Sequence, residues 1–491
     1  MNLRRTLTTL LLASGTLTAA VSAQDAAPAA AANLTLEECV ARALQRNFTL
    51  EAGRLGPQIA KDSIDVARDG FTPTLTASTS RSLARNAPTS VSAGTKSEAS
   101  DTRLSVSQRF YTGTTATVTT VLNRNESNPS ASALNPAYNA DLSVSVRQQL
   151  LQGFGTTVNR ATVDRARIGL DRANLDYKAT ALDVIQSTEQ AYHALAFARE
   201  QREVRTFSLT LAQRLFDEAK IRRDTGVATD LDVLQAEVGV ANARRNLLLA
   251  EQTVKDNEQA LLALIGQFEL DAPVGSVRLP DFDGTIPVFA SSYAAAKRSQ
   301  PDYLSSIAAL DQAKLDLKVV KDGTKPSLSV GGALGFDARR GSGSSALNNA
   351  LQRENNSWQV DLSLSYPIGQ VGDKARYRQS LASVSQQEIR LRQLEQNIEV
   401  QVRSAVRSVE TNAESVKIAT QARLLSEKQY ELEEAKFKAG LSTSRRVLEA
   451  QNDLEAARVS ELQSKVTLRN SLSALQRIEG SSLQRYGVTL P

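Results

Sequence analysis

The chain of 491 residues has one cysteine, Cys39. No intrachain disulfide can form, and metal or redox motifs built on paired cysteines are excluded. One histidine, His193, sits beside Tyr192 in a long helical segment, and a lone imidazole with no partner in sequence reads as structural rather than metal-binding or catalytic. Aromatic residues make up only 5% of the chain, and the 25 glycines and 13 prolines are mostly clustered. Long stretches therefore lack helix breakers. Past residue 23 no run of about 18 apolar residues occurs, so no membrane-crossing helix is expected there. The net charge of +5, of which Arg4 and Arg5 contribute two, argues against a nucleic-acid surface. Gly94-Thr95-Lys96-Ser97 lacks the upstream glycine of a phosphate-binding loop. Carboxylates stand beside Lys and Arg, as in Glu427-Lys428 and Glu433-Glu434-Ala435-Lys436, which is the pattern of solvated helix faces. No catalytic constellation, cofactor or metal site is expected, and the chain does not read as an enzyme.

What is present begins at the amino terminus. Asn2-Leu3-Arg4-Arg5, an apolar stretch over residues 7–21 and the small-residue site Val21-Ser22-Ala23 read as a cleaved signal peptide over residues 1–23. A flexible segment, 24–33, follows. Such a chain is periplasmic, extracellular or an outer-membrane barrel. Glu38 stands where a lipidation signal needs a small residue, so Cys39 reads as a buried helical thiol rather than an anchor.

The sequence repeats itself. Ala43-Leu44-Gln45-Arg46-Asn47 and Pro73 match Ala296-Lys297-Arg298-Ser299-Gln300 and Pro326 at one offset, since 296 − 43 and 326 − 73 are both 253. Gly226-Val227-Ala228-Thr229 followed by Val233-Leu234-Gln235-Ala236 matches Gly440-Leu441-Ser442-Thr443 followed by Val447-Leu448-Glu449-Ala450 at an offset of 440 − 226 = 214. The first copy thus carries 253 − 214 = 39 extra residues between Pro73 and Gly226. A first repeat over 34–266, a linker over 267–290, a second repeat over 291–480 and a C-terminal tail over 481–491 follow. Within each copy the plan is a helix, a strand region (about 73–150 and 326–367), a very long helix, a glycine-containing turn and a returning helix.

Val233, Val240, Leu247, Val254 and Leu261 recur every seven residues, as do Val384, Leu391, Ile398 and Ala405, and Val402, Val409 and Val416. A sustained seven-residue period is the seam of helices that supercoil on neighbours. Helices are expected over 36–68, 157–225, 230–265, 291–321, 374–439 and 444–478. The two shorter ones at 230–265 and 291–321 should stack to match 157–225, and 444–478 with 36–68 to match 374–439. Such hairpins have little apolar depth and need lateral partners.

Between the helices the pattern changes to period two. Leu104, Val106 and Phe110 alternate with Ser105, Ser107 and Arg109; Leu142, Val144 and Val146 with Ser143, Ser145 and Arg147; Val360, Leu362, Leu364 and Tyr366 with Asp361, Ser363 and Ser365. Segments of about ten residues, apolar on one side and polar on the other, are the signature of membrane barrel strands, although a soluble sandwich with one wet face shares it. The polar stretches 80–100, 125–139 and 337–356 read as long outer loops, and Tyr111-Thr112-Gly113-Thr114 as a tight periplasmic turn. Trp358 opens a strand and suits an aromatic girdle. Four strands in the first copy and two in the second make six. Since about eight strands already fill their interior with side chains, six cannot enclose water.

The ensemble resembles the TolC family of outer-membrane efflux proteins over nearly the whole mature chain. The resemblance rests on Leu34-Thr35-Leu36-Glu37-Glu38 with Ala43-Leu44 and Asn47, the Pro73 and Pro326 junctions, Leu150-Leu151-Gln152-Gly153-Phe154-Gly155, and the duplicated Gly-x-x-Thr tips followed by Val-Leu-x-Ala. It implies a mainly α-helical chain with membrane β-strands, three copies of which share one barrel in outer-membrane lipid and a periplasmic tunnel of helices. It further implies a passive exit duct whose tips, Gly226, Val227, Ala228, Thr229, Gly440, Leu441, Ser442 and Thr443, meet a periplasmic adaptor and an inner-membrane transporter that supplies the energy. Nucleic acid is not among the implied partners.

Two departures stand out. Family members place four strands per chain in a barrel of twelve, whereas six here imply eighteen. Family channels also narrow at carboxylates after the second tip, where this chain has Arg445 and Arg446 and keeps only Glu449. Asp230 and Asp232 follow the first tip, and their pairing with Arg445 or Arg446 across neighbouring hairpins would hold a gate shut. The plainer reading is solvated helix-end charges, worth about 0–1 kcal/mol per exposed pair, although threefold symmetry multiplies them. A rival architecture, a periplasmic coiled-coil tether, accounts for the heptads but for neither the strands nor the duplicated tips.

Overall fold

The computed structural model describes residues 34–85, 87, 95–128, 133–268, 274–280, 282 and 284–488. The expected leader over 1–23 and the segment 24–33 lie outside the described residues. Helix α1 (Leu36–Arg46) starts with a reciprocal cap: the Glu38 N–H donates to the Thr35 hydroxyl at 3.2 Å and the Thr35 N–H to the Glu38 carboxylate at 3.5 Å. Its buried residues, Leu36, Cys39, Val40 and Ala43, fall on one helical stripe. Helix α2 (Phe48–Asp69) follows after one extended residue, Asn47, whose side chain accepts from the N–H groups of Thr49 and Leu50.

The single helix expected over 36–68 is therefore two, and so is the one expected over 291–321. There α6 (Phe289–Ser299) and α7 (Pro301–Asp322) are separated by extended Gln300. The causes differ. Asn47 competes for the backbone as an N-cap, whereas Pro301 disfavours helical geometry at Gln300 and then starts the next helix.

Four long helices form the shaft: α4 (Ala161–Asp224), preceded by the single turn α3 (Thr156–Asn159), then α5 (Asp230–Leu264), α9 (Val371–Lys438) and α10 (Ser444–Glu479). The 64 residues of α4 span about 96 Å at 1.5 Å per residue. The seam residues turn inward: Val254 and Leu261 are buried in a core with α1 and α4, and Ile398, Val402 and Val409 in a second core with α6, α7 and α10.

The stacking differs from expectation. Helix α5 runs into α2, with the Asn47 amide donating to the Leu264 carbonyl at 2.9 Å, and α10 runs into α7. At both joints a glycine with left-handed backbone, Gly266 and Gly480, each at φ 70°, lies against the carbonyl of the residue before the break, Arg46 and Ser299. Only glycine combines that φ with so close an approach, so the joints select which halves meet. The residues read as a C-terminal tail carry α11 (Ser482–Arg485), and Leu483 is buried.

The shaft is slim, and half-buried ion pairs join helices where apolar depth is short. Arg165 meets Asp316 at 2.5 Å, Arg199 meets Glu258 at 2.5 Å, and Arg477 meets Asp183 at 2.6 Å. Glu461 takes Arg423 at 2.6 Å, and Glu427 takes Arg458 at 2.9 Å.

Six strands, β1 (Thr74–Arg85), β2 (Lys96–Arg109), β3 (Thr114–Asn128), β4 (Ala137–Gln149), β5 (Ser327–Arg340) and β6 (Asn355–Ser365), form one antiparallel sheet in that order. Among the described residues the strands number six, as expected, but they run deeper into the polar stretches than expected. Residues 80–85 and 96–100, read as loop, are paired strand. Cross-strand partners supply what propensity lacks: the Thr79 and Thr102 hydroxyls meet at 3.2 Å, and Arg81 Nε donates to Glu98 at 2.6 Å. The third stretch, read as loop throughout, contains helix α8 (Gly343–Leu351), capped by Ser342 and held by buried Ala346 and Ala350 against Ala140 and Ala338. Nine residues are too few for periodicity to announce it.

The turn at Tyr111–Thr114 closes through the Phe110 N–H to the Thr114 carbonyl at 2.8 Å. It abuts the start of the shaft, where the Gly155 N–H donates to the Thr112 carbonyl at 3.2 Å and a Cβ on Gly113 would lie 2.3 Å from the Gly153 carbonyl oxygen.

Candidate channel wall and hairpin tips

The strand registers sort the sheet into two faces. Leu75, Val106, Val118, Val144, Leu334 and Trp358 are successive cross-strand partners, one on each strand, and every one is exposed. An unbroken row of exposed apolar side chains is costly in water and suited to lipid. Along β5 this face carries Leu328, Val330, Gly332, Leu334, Phe336 and Ala338. The ten steps from Leu328 to Ala338, at about 3.4 Å each and tilted by about 40°, give a band about 26 Å tall, whose last residue, Ala338, is covered by α8. Trp358 stands on it near the loop end of β6.

The opposite face is polar. One row runs Thr74, Ser107, Thr117, Ser145, Ala333 and Gln359, and the next Thr76, Ser105, Thr119, Ser143, Gly335 and Ser357. At its shaft end Arg147 on β4 reaches over β5 to Asp361 on β6 at 2.9 Å. A Cβ on Gly331 would lie 2.3 Å from the Asp361 carboxylate, so the missing side chain makes the bridge possible. Sequence reading missed this pair; its one signal was glycine inside a strand, which marks a close approach. Beside it Arg109 donates to Asn159 at 2.8 Å, linking the sheet to α3. Within the chain, β1 and β6 each have one neighbour and one open edge.

At the far end of the shaft the tips turn on Gly226 at φ 76° and Gly440 at φ 73°. Thr229 caps α5: its N–H and hydroxyl donate to the Asp232 carboxylate at 3.0 and 2.7 Å, and the Asp232 N–H donates back at 3.3 Å. The Thr229 hydroxyl, then its backbone N–H, hold the Asp232 carboxyl below its ordinary range. Thr443 heads α10 without a side-chain cap bond; instead the Ser442 hydroxyl donates to Glu433, whose carboxyl is thereby lowered.

Of the expected gate residues, Asp230 is 93% exposed at 4.0 Å from Arg223, Arg445 pairs with Glu449 at 3.1 Å, and Arg446 is exposed. Within one chain neither aspartate pairs with either arginine. The two hairpins pack through Leu215, Phe437 and Val447, with the Arg222 guanidinium 4.0 Å from the Phe437 ring centre. Val227 and Leu441 project at the tips, 76% and 78% exposed.

His193 is buried in the shaft with Nδ1 2.9 Å from the Asn470 side-chain oxygen, and burial lowers its pKa. Nearby the Tyr486 hydroxyl donates to buried Glu189 at 2.5 Å, clasping the segment after α11 to α4. Among the described residues no helix is long and apolar enough to cross a membrane.

A sheet with one lipid-suited face, one polar face and two open edges, continued by helices near 100 Å long, defines a wall segment of an outer-membrane channel. The outer membrane efflux protein family model matches residues 117–267 and 293–481. The chain belongs to that family. It is 24% identical over 355 residues to the pyoverdine export outer membrane protein OpmQ of Pseudomonas putida, covering 68% of this chain and 70% of that one. To the outer membrane efflux protein BepC of Brucella suis it is 24% identical over 444 residues, covering 88% and 82%. Its fold matches the outer-membrane channel OprN with a TM-score of 0.70 at 18% identity, covering 91% and 90% of the two chains. The protein is an exit duct of the outer membrane with its helical shaft in the periplasm.

Proposed function

We propose that three copies close a single barrel of 3 × 6 = 18 strands and a continuous helical tunnel, through which cargo delivered by an inner-membrane pump and a periplasmic adaptor leaves passively. The observation that carries this is the pair of open edges on a sheet whose outer face is apolar. Unpaired strand edges are not tolerated against lipid, so β1 of one copy must pair with β6 of the next. A second observation agrees. On α9 Ile418, Leu425 and Leu432 recur every seven residues and are 64%, 62% and 64% exposed, a seam with no partner in its own chain. A tether would need neither feature.

The two halves are copies of one unit on this reading. The paired joints support it, since 299 − 46 is 253 and 480 − 266 is 214, the two offsets of the sequence repeat. Adaptor docking falls to the tips with exposed Val227 and Leu441. The gate belongs between protomers, where Asp230 and Asp232 approach Arg445 or Arg446 of the adjoining hairpin.

Heat-resistant trimers in detergent that conduct ions in planar bilayers are the expected result, and a water-soluble monomer without lipid affinity would refute the duct. For the gate, Arg446→Ala and Asp232→Ala should each raise closed-state conductance. Unchanged conductance in both would leave the tip charges as solvated helix ends.

A further inference from the structure

We infer that a cation cluster on the outward face of the sheet, at its loop end, binds the phosphate headgroup of a lipid in the adjoining leaflet. This rests on the barrel reading above, which sets the apolar face outward.

Above the apolar band the same face turns charged. Leu122 on β3 is followed outward by Arg124 and Glu126; Leu104 on β2 by Thr102, Ser100, Glu98 and Lys96; Ala77 on β1 by Thr79 and Arg81. Each shares strand parity with the apolar row, so none faces the bore. Three cations converge on one carboxylate. Arg81 donates to Glu98 through Nε at 2.6 Å, Arg124 approaches it at 3.4 Å, and Lys96 lies 3.9 Å away.

Glu98 is only 12% exposed, whereas Arg81 is 73% and Lys96 44% exposed. The carboxylate therefore sits beneath and organises the cations; the Arg81 guanidinium and the Lys96 ammonium meet the surroundings, and Arg124, 27% exposed, is held between Glu98 and Glu126. Glu126 takes the other side of Arg124. Arg85, opposite Lys96 in the register, adds another exposed cation. Four cations against two carboxylates leave a positive surplus at the level where a band about 26 Å tall gives way to headgroups. A phosphate there would find charge-assisted N–H donors on three adjacent strands. Its acyl chains would lie along Leu104, Val106 and Val118 below.

Detergent-purified trimer is mixed with phosphatidic acid or with the diacylglycerol lacking its phosphate, and bound lipid is counted by native mass spectrometry. Wild type should retain one phosphatidic acid per protomer at least about tenfold more tightly than diacylglycerol, a difference of about 1.4 kcal/mol. Inorganic phosphate at millimolar concentration should not displace it. Arg81→Gln/Arg124→Gln should abolish the preference, Arg81→Lys/Arg124→Lys should keep most of it, and Lys96→Gln, at a strand end, should weaken it without endangering assembly. Equal retention of both lipids, a preference surviving in the double Gln variant, or displacement by inorganic phosphate would each overturn the inference. A wild-type trimer that conducts but shows no phosphate preference removes this site and leaves the duct intact, whereas failure to trimerise or conduct removes the duct itself.

Discussion

Single residues decide where this elongated chain is tight. Cys39 is fully buried, and burial pushes its thiol up to about 12. The thiolate is the reactive species, and it does not form at pH 8. Folded protein should resist a maleimide for hours at that pH and label promptly in denaturant; fast labelling of the native protein would contradict the buried placement. The joint glycines are a second case. A Cβ on Gly266 or Gly480 would lie 2.2 or 2.7 Å from a backbone oxygen, at a φ that side chains disfavour. Gly266→Ala or Gly480→Ala should cost about 1–3 kcal/mol or more and lower the melting temperature of the purified protein in detergent. Gly56 in α2 has nothing within 4 Å, so Gly56→Ala should raise that temperature, alanine being favoured in helices by about 1 kcal/mol.

At the scale of elements, each helix end is a separate small problem in hydrogen bonding. The α5 terminus is solved by Thr229 with Asp232, and Thr229→Ala should cost about 0.5–2 kcal/mol of local stability, seen as faster amide exchange in the first turn of α5. The Asp232 carboxyl is depressed in the folded chain. Its contribution is therefore complete above the ordinary carboxylate range and is lost as pH falls through the lower folded value. Amide protection at this tip, measured against the intrinsic exchange rate at each pH, should hold at pH 6 and fall only in stronger acid; a loss of protection already near neutrality would rule the cap out as its cause. The α10 terminus lacks such a cap bond and should exchange faster throughout.

Across the whole molecule, the two faces of the sheet make opposite demands. Val144 lies in the apolar row and Ser145 on the polar face next to it. Val144→Arg should cost about 2–4 kcal/mol and deplete folded protein in the outer membrane, while Ser145→Arg should assemble normally and shift ion selectivity. If both variants assemble alike, the assignment of faces is wrong. Much of this architecture is legible in the sequence, because both periodicities are local. Val254, Leu261, Ile398 and Val402 declare the shaft by their spacing, and Val106, Val144 and Val360 declare the sheet. The glycine tips are equally plain, since a sharp reversal between long helices needs a residue at home at positive φ.

Other features depended on partners distant in sequence. Residues 80–85 are strand because residues 96–101 lie opposite, with Glu98 facing Leu83 and accepting from Arg81, and no neighbour in sequence reveals that. The pairing of α5 with α2 and of α10 with α7 was set by where Gly266 and Gly480 touch Arg46 and Ser299, contacts that no periodicity encodes. Helix α8 exists because Ala140 and Ala338 offer it a surface. At the tips the charges were visible in sequence, but their partners were not: Asp232 is drawn to its own cap and Arg445 to Glu449. The sequence by itself determined the kinds of element, their number of strands and the two-sided sheet, because side-chain periodicity acts over a few residues. The tertiary structure decided element ends, stacking partners and ion pairs, because those depend on hydrogen bonds and contacts closed between residues tens to hundreds of positions apart.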